Sequence, residues 1–242
     1  MSKQKRTTKQ ILNQLVQLYK KIPETKGCLE NINKEGGCKG WCCSLQSPQV
    51  LKIEFVNSWN YVLNNFAIEE MEKLVFDAIN TYLLNWTTKG CIFFDKESKL
   101  CKQHSTRGLS CRTYGIIPAK EFKLNYERLK KLYHNKIGAV IKDQCDLIST
   151  INGSKVTIKD TDSWWNSLVK IEKEFGVSKN RINDDLGGSY RTYHDHLLIH
   201  LYGEDVLENL SIIRTNGTDE EKMQATISLV NHFLKQVSDA LE

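Results

Sequence analysis

Eight cysteines fall within the first 145 residues of this chain and none follows them. Their spacing is Cys28-x9-Cys38-x3-Cys42-Cys43, then Cys91-x9-Cys101-x9-Cys111, then Cys145. The first group shares its segment with Gly27, Gly36, Gly37 and Gly40, and the apolar residues there follow neither a helical nor a strand period. A metal ion needs donors converging from several directions, which irregular segments supply and a single helix or strand does not. The competing reading is a core cysteine acting as a small hydrophobe. Cys145, alone between Gln144 and Asp146, lies closest to that case. Cys38, Cys42 and Cys43 do not, because they sit on no apolar face.

The compartment decides what such cysteines do. The amino-terminal MSKQKRTTKQ is polar and leads into an amphipathic stretch, without the apolar centre of a signal peptide. No stretch reaches the ~18–20 apolar residues of a membrane span. A cytoplasmic protein is the expectation, and reducing conditions there favour thiolates over disulfides. With 242 residues the chain can bury a core without metal or disulfide staples. A metal site would therefore not be forced by small size. The balance of 34 basic to 29 acidic residues leaves a net charge of +5. The densest basic cluster is Lys3, Lys5, Arg6 and Lys9, which reads as a solvated start. That field argues against nucleic acid as a partner. An unidentified protein or redox partner remains, and no membrane is expected.

Around the cysteines the chain reads as helical. Ile11, Leu15, Leu18 and Ile22 form a stripe that Pro23 ends. Ser47-Pro48 resembles an N-cap followed by proline at the first helical position, opening helices over roughly 48–65 and 67–86. Segment 89–117 breaks the pattern, with a possible short strand at Ile92-Phe93-Phe94 and a turn from Asp95 to Lys99. A helix is expected from Pro118 to His134 and a short strand from Ser154 to Lys159. Trp164, Trp165, Leu168, Val169 and Ile171 predict a helix closed by Gly176. His194 to Tyr202 is apolar enough to be buried, and Thr218 with Glu221 forms a capping box that opens a last helix to Leu241. The fold expectation is mainly α, with helices around an irregular cysteine-rich metal-binding centre and little β. Residues 1–159 form the cysteine-cluster region and 160–242 a helical companion packed on it.

At the cysteines a resemblance emerges. Gly37-Cys38-Lys39-Gly40-Trp41-Cys42-Cys43 resembles the motif of a bacterial cysteine-cluster family described as zinc- or iron-chelating. Cys91-Ile92-Phe93-Phe94-Asp95 is similar to its cysteine-plus-apolar segment. Cys101 with Arg107 to Tyr114 (RGLSCRTY) is similar to its Cys-Arg-x-Tyr run, and Cys145 falls where longer members carry one more cysteine. Tyr193-His194-Asp195-His196 resembles the end of some members. The chain departs in two places. The family's first two cysteines usually stand two residues apart, whereas nine residues separate Cys28 from Cys38. Gly108 and Gly115 stand where prolines are common. The resemblance implies a metal centre, often labelled iron–sulfur. Through the related flagellin-lysine methylase it also brings protein methylation into consideration.

The residues themselves leave the metal open. Zinc and a four-iron cluster each take four thiolates. Zinc favours short C-x2-C pairs, and this chain has none. Dispersed spacing and the adjacent Cys42-Cys43 lean toward an iron–sulfur cluster of the 4Fe-4S type. The ligand candidates are Cys28, Cys38, Cys42, Cys43, Cys91, Cys101, Cys111 and Cys145. Whether the chain is an enzyme stays open. The functional readings are a redox or enzyme-associated metal protein, a structural zinc protein in an interaction role, and a protein-modifying methyltransferase. Arg112, next to Cys111, reads as a charge partner of a thiolate-rich centre or as a structural arginine. Tyr114 reads as packing, with a hydroxyl able to tune a cluster. His104, between Cys101 and Cys111, reads first as structural and second as a ligand or a neighbour of the ligands. His194, His196 and His200 sit on an apolar stretch. His196 and His200, four apart, could share a metal, but hydrogen-bonded core histidines are the stronger reading. Walker, G-x-G-x-x-G, G-x-S-x-G and H-E-x-x-H motifs do not occur.

Overall fold

The computed structural model describes residues 6–24, 43, 47–84, 90–98, 100–114, 116, 153–178 and 189–241. The expected helix from Pro118 to His134, and Cys28, Cys38, Cys42 and Cys145, lie outside the described residues. The chain is mainly helical. Among the described residues there are eight α-helices, and the sheet has only two strands of two residues. Contacts divide it into two compact units, each drawn from two stretches of sequence. The first comprises Met1–Cys42 and Arg107–Ser189, the second Cys43–Thr106 and Tyr190–Glu242.

In the first unit, α1 (Thr8–Tyr19) packs against a later helix, Ile158–Glu174. Ile11, Leu15, Leu18 and Tyr19 of α1 are buried, as are Trp164, Leu168 and Ile171 of its neighbour. The apolar stripes read from sequence are therefore the packed faces. Thr7 caps α1 by accepting from Gln10 N, while the Gln10 side chain accepts from Thr7 N. Gln14 Nε2 donates to Glu174 Oε2 at 3.2 Å, and Arg6 pairs with the same carboxylate. The expected strand from Ser154 to Lys159 is not formed. Thr157 instead caps a helix that begins at Ile158, with Asp160 Oδ2 accepting from Thr157 N at 2.8 Å. A local Thr-x-x-Asp cap outweighs the alternation of Val156 and Ile158. Gly176, with φ of 106°, lies just past the helix end, in a region that side-chain-bearing residues avoid.

The second unit is built on two consecutive helices. In chain order after α1 and β1 (Gln49–Val50) come α2 (Lys52–Asn65) and α3 (Ile68–Leu84), and α4 (Leu109–Thr113) and α5 (Ile158–Glu174) belong to the first unit. The chain re-enters the second unit through β2 (Arg191–Thr192), α6 (Tyr193–Tyr202), α7 (Val206–Asn216) and α8 (Asp219–Leu241). Helix α3 contacts α6, α7 and α8, and α6 also rests on α2. The core they share includes Trp59, Val75, Ile79, Phe93, Leu197, Leu198, Leu210 and Phe233. β1 and β2 pair antiparallel, Gln49 with Thr192 and Val50 with Arg191.

That pairing explains one correction. Ser47-Pro48 does not cap α2, because Gln49 and Val50 are held extended against β2. The helix starts at Lys52, where Glu54 Oε2 accepts from Leu51 N at 2.9 Å. The capping box at Thr218 forms as read: Glu221 Oε2 accepts from Thr218 N at 2.6 Å, and Glu221 N donates back to Thr218 Oγ1 at 3.2 Å.

Candidate metal centre

Three of the four described cysteines belong to the second unit. Cys91 is 9% exposed and part of the hydrophobic core, and Cys43 and Cys101 are half-buried against that core. Backbone bonds gather them. Cys91 N donates to Cys43 O at 2.6 Å, and Phe94 N donates to Cys91 O at 3.0 Å, which turns the chain after Cys91. Phe94 then forms an antiparallel bridge with Cys101. Asp95 N to Leu100 O at 2.9 Å and Lys102 N to Phe93 O at 2.8 Å close the hairpin. Its tip is held by Asp95 Oδ1, which accepts from Glu97 N at 2.9 Å and Ser98 N at 3.4 Å. The expected strand at Ile92-Phe93-Phe94 thus shrinks to one bridging residue, while the turn after Asp95 stands.

The hairpin is anchored to the core. Phe93 is 1% exposed and meets the Tyr193 ring edge-on at 5.1 Å. Ser58 Oγ lies 3.4 Å from the Tyr193 hydroxyl and 3.3 Å from Thr106 O, to which it can donate. Lys102 pairs with Glu70 at 3.0 Å. That hydrogen bond, then the Ala67 backbone bond, hold the Glu70 carboxyl below its ordinary range. Sequence alone gave no sign that Cys43 and Cys91 are bonded neighbours, because the link runs through main chain.

Cys111 belongs to the first unit and is half-buried. It was expected in an irregular segment, yet it sits on α4, a five-residue helix after Gly108. Thr113 Oγ1 donating to Leu109 O at 2.9 Å steadies that single turn. Arg112, beside it, lays its guanidinium over the Tyr19 ring at 4.3 Å and donates from Nε to Arg107 O at 2.8 Å. These contacts anchor Arg112 to α1. Tyr114 follows as the extended residue that ends α4.

Two of the histidines on α6 make contacts with β1 and α2. His196 Nε2 donates to Val50 O at 3.0 Å, and the ring stacks on Phe55 at 5.3 Å. His200 stands edge-on to Phe55 and Trp59. Burial, then the charge of Lys52, pushes its imidazole below the ordinary histidine range. His194 is 1% exposed.

The donor chemistry suits zinc or iron, since half-buried thiolates beside apolar walls are good ligands for both. Among the described residues, however, no three histidine, cysteine, aspartate or glutamate side chains stand together as a metal requires. A complete centre must also draw on donors beyond them. No helix among the described residues is long and apolar enough to cross a membrane.

Comparison with known proteins accords with the donor chemistry. No curated protein and no solved structure matches the chain. One family model does match, over residues 34–146: CxxCxxCC, "Putative zinc- or iron-chelating domain". The span takes in every cysteine except Cys28. Residues 34–146, a little under half of the chain, are thus similar to the CxxCxxCC zinc- or iron-chelating domains.

Proposed function

We propose that the chain is an iron–sulfur protein in which thiolates from the cysteine-rich segments hold a cluster with a redox or enzyme-associated role. The observation that supports this reading is that main-chain bonds tie Cys91 to Cys43, and Phe94 to Cys101, against the apolar core of the second unit. Iron–sulfur clusters are held by cysteine thiolates, and burial and hydrogen bonds to sulfur set their potentials. The dispersed cysteine spacing supports the same reading. When bound, the cluster would supply one-electron chemistry. The protein's part is to hold the thiolates and keep water from them. The partner in this reading is a protein or a redox carrier, not nucleic acid.

A structural zinc site is the second reading, favoured by the depth of Cys91. A closed tetrahedral centre at a residue that is 9% exposed would staple the hydrophobic body and offer no open position for substrate. Anaerobic purification of the full chain separates the two. Brown protein whose visible absorption bleaches with dithionite supports the cluster. Colourless protein carrying stoichiometric zinc overturns it in favour of the structural site.

A further inference from the structure

The main-chain bond between Cys43 and Cys91 joins two residues that carry the same chemistry. Both belong to the second unit, so the pair needs nothing from the first. We propose that these two thiols close reversibly into a disulfide, making a redox switch at the edge of the hydrophobic core. The inference goes beyond the metal-binding reading and does not rest on it.

Main-chain geometry and burial carry the pairing. Cys91 N donates to Cys43 O at 2.6 Å. That contact and standard main-chain bond lengths hold the two α-carbons within about 6.5 Å of each other. Disulfides span α-carbon separations of about 4.4–6.8 Å. Direction agrees with distance. Cys91 is a member of the core cluster, and Cys43 packs against that same cluster. Two bonded neighbours whose side chains meet one apolar body are placed for their sulfurs to meet. Cys91 is itself held in position: Phe94 N donates to its carbonyl at 3.0 Å, and Phe93 stands edge-on to Tyr193 at 5.1 Å. Cys101 touches the same core, but its bridge is to Phe94, and its carbonyl accepts from His104 N at 3.2 Å. Cys43 is the cysteine that the main chain brings to Cys91.

The difference in burial orders the chemistry. Cys43 is half-buried, while Cys91 is 9% exposed. An oxidant of the disulfide class, such as glutathione disulfide, therefore meets Cys43 first. The Cys43 thiolate attacks one glutathione sulfur, and the other glutathione leaves as a thiolate. The Cys91 thiolate then attacks the Cys43 sulfur of the mixed disulfide and displaces the second glutathione. The cysteine pair loses two electrons and glutathione disulfide gains them. The two thiol protons end on the two released glutathiones. Disulfides that form in reducing compartments are mostly of this transient, sensing kind. Because the thiolate is also the form that ligates metal, the closed pair withdraws two candidate donors.

The test is peptide mapping of the full-length chain, treated with a chelator, oxidised with glutathione disulfide and then alkylated. Trypsin releases Cys42 and Cys43 together in residues 40–52, and Cys91 in residues 90–96. The expected product is a linked pair of these two peptides that dithiothreitol separates. Cys42→Ser should keep the link, which assigns it to Cys43, and Cys43→Ser should lose it. A wild type in which Cys91 stays fully alkylated overturns the proposal, and that result needs no variant to fold. Cys91 linked to the peptide of Cys101, or spread over several cysteines, overturns it too. So does a link that persists in Cys43→Ser. None of these outcomes depends on whether the untreated chain carries zinc or iron, so the metal-binding reading stands or falls separately.

Discussion

Arg112 illustrates how a side chain beside a candidate ligand is placed by packing. From sequence its charge could serve a thiolate centre or the fold. The structure lays it on Tyr19 at 4.3 Å and ties its Nε to Arg107 O. Arg112→Ala is expected to destabilise the first unit by ~1–2 kcal/mol, from the lost cation–π contact and hydrogen bond. Urea unfolding followed by circular dichroism would measure the change, and Arg112→Lys should recover part of it. His200 gives a pH prediction. Burial, then Lys52, lowers its folded pKa, so the folded state favours the neutral ring. Its contribution is therefore fully present above about pH 6.5, the value for an unfolded histidine, and is lost as pH falls from there through the folded pKa. Thermal melts between pH 7.5 and about pH 5 should show that loss, and His200→Asn should flatten it. At this scale the sequence was an uneven guide. The i, i+4 spacing of His196 and His200 allowed a metal pair, but the bond from His196 to Val50 depends on a strand pairing distant in sequence.

Helices were the most legible elements, where an amphipathic stripe coincided with a local cap. α1, α3 and α8 stand close to where periodicity put them, because Ile11, Leu15 and Leu18, for example, both define the stripe and fill the core. Thr218→Ala removes the cap of α8 and should cost about 1 kcal/mol. Differential scanning calorimetry of the variant checks that value. Two element boundaries were misread because hydrogen bonding, long-range in one case and local in the other, outweighed composition. Ser47-Pro48 looked like a helix start, yet pairing of Gln49 and Val50 with β2 keeps the chain extended to Leu51. Val156 and Ile158 alternated like a strand, yet Thr157 and Asp160 cap a helix that begins at Ile158. α7 went unread because its apolar residues are split. Val206 and Leu210 are buried while Ile212 is 55% exposed, so no clean stripe marks it.

At the scale of the whole molecule, cysteine content made the likeness to a zinc- or iron-chelating domain legible, and main-chain topology decided which cysteine segments are bonded neighbours. Each unit is assembled from two separate stretches of chain. Spacing along the sequence therefore says little about which residues are neighbours. Cys43 and Cys91, widely separated in sequence, are joined by a 2.6 Å bond. Cys111 belongs to the other unit even though it follows Cys101 at the same ten-residue step that separates Cys91 from Cys101. Because ligands from distant segments must be held together, metal binding and folding should be coupled, and a chelator should lower the melting temperature. The central claim is that the cysteines bind metal, and the most direct measurement is the metal-to-protein ratio of anaerobically purified full-length chain. The ratio should be stoichiometric in the wild type, reduced in both Cys42→Ser and Cys111→Ser, and unchanged in Lys39→Ala. A wild type free of zinc and iron, or an unchanged ratio in both cysteine variants, would contradict it.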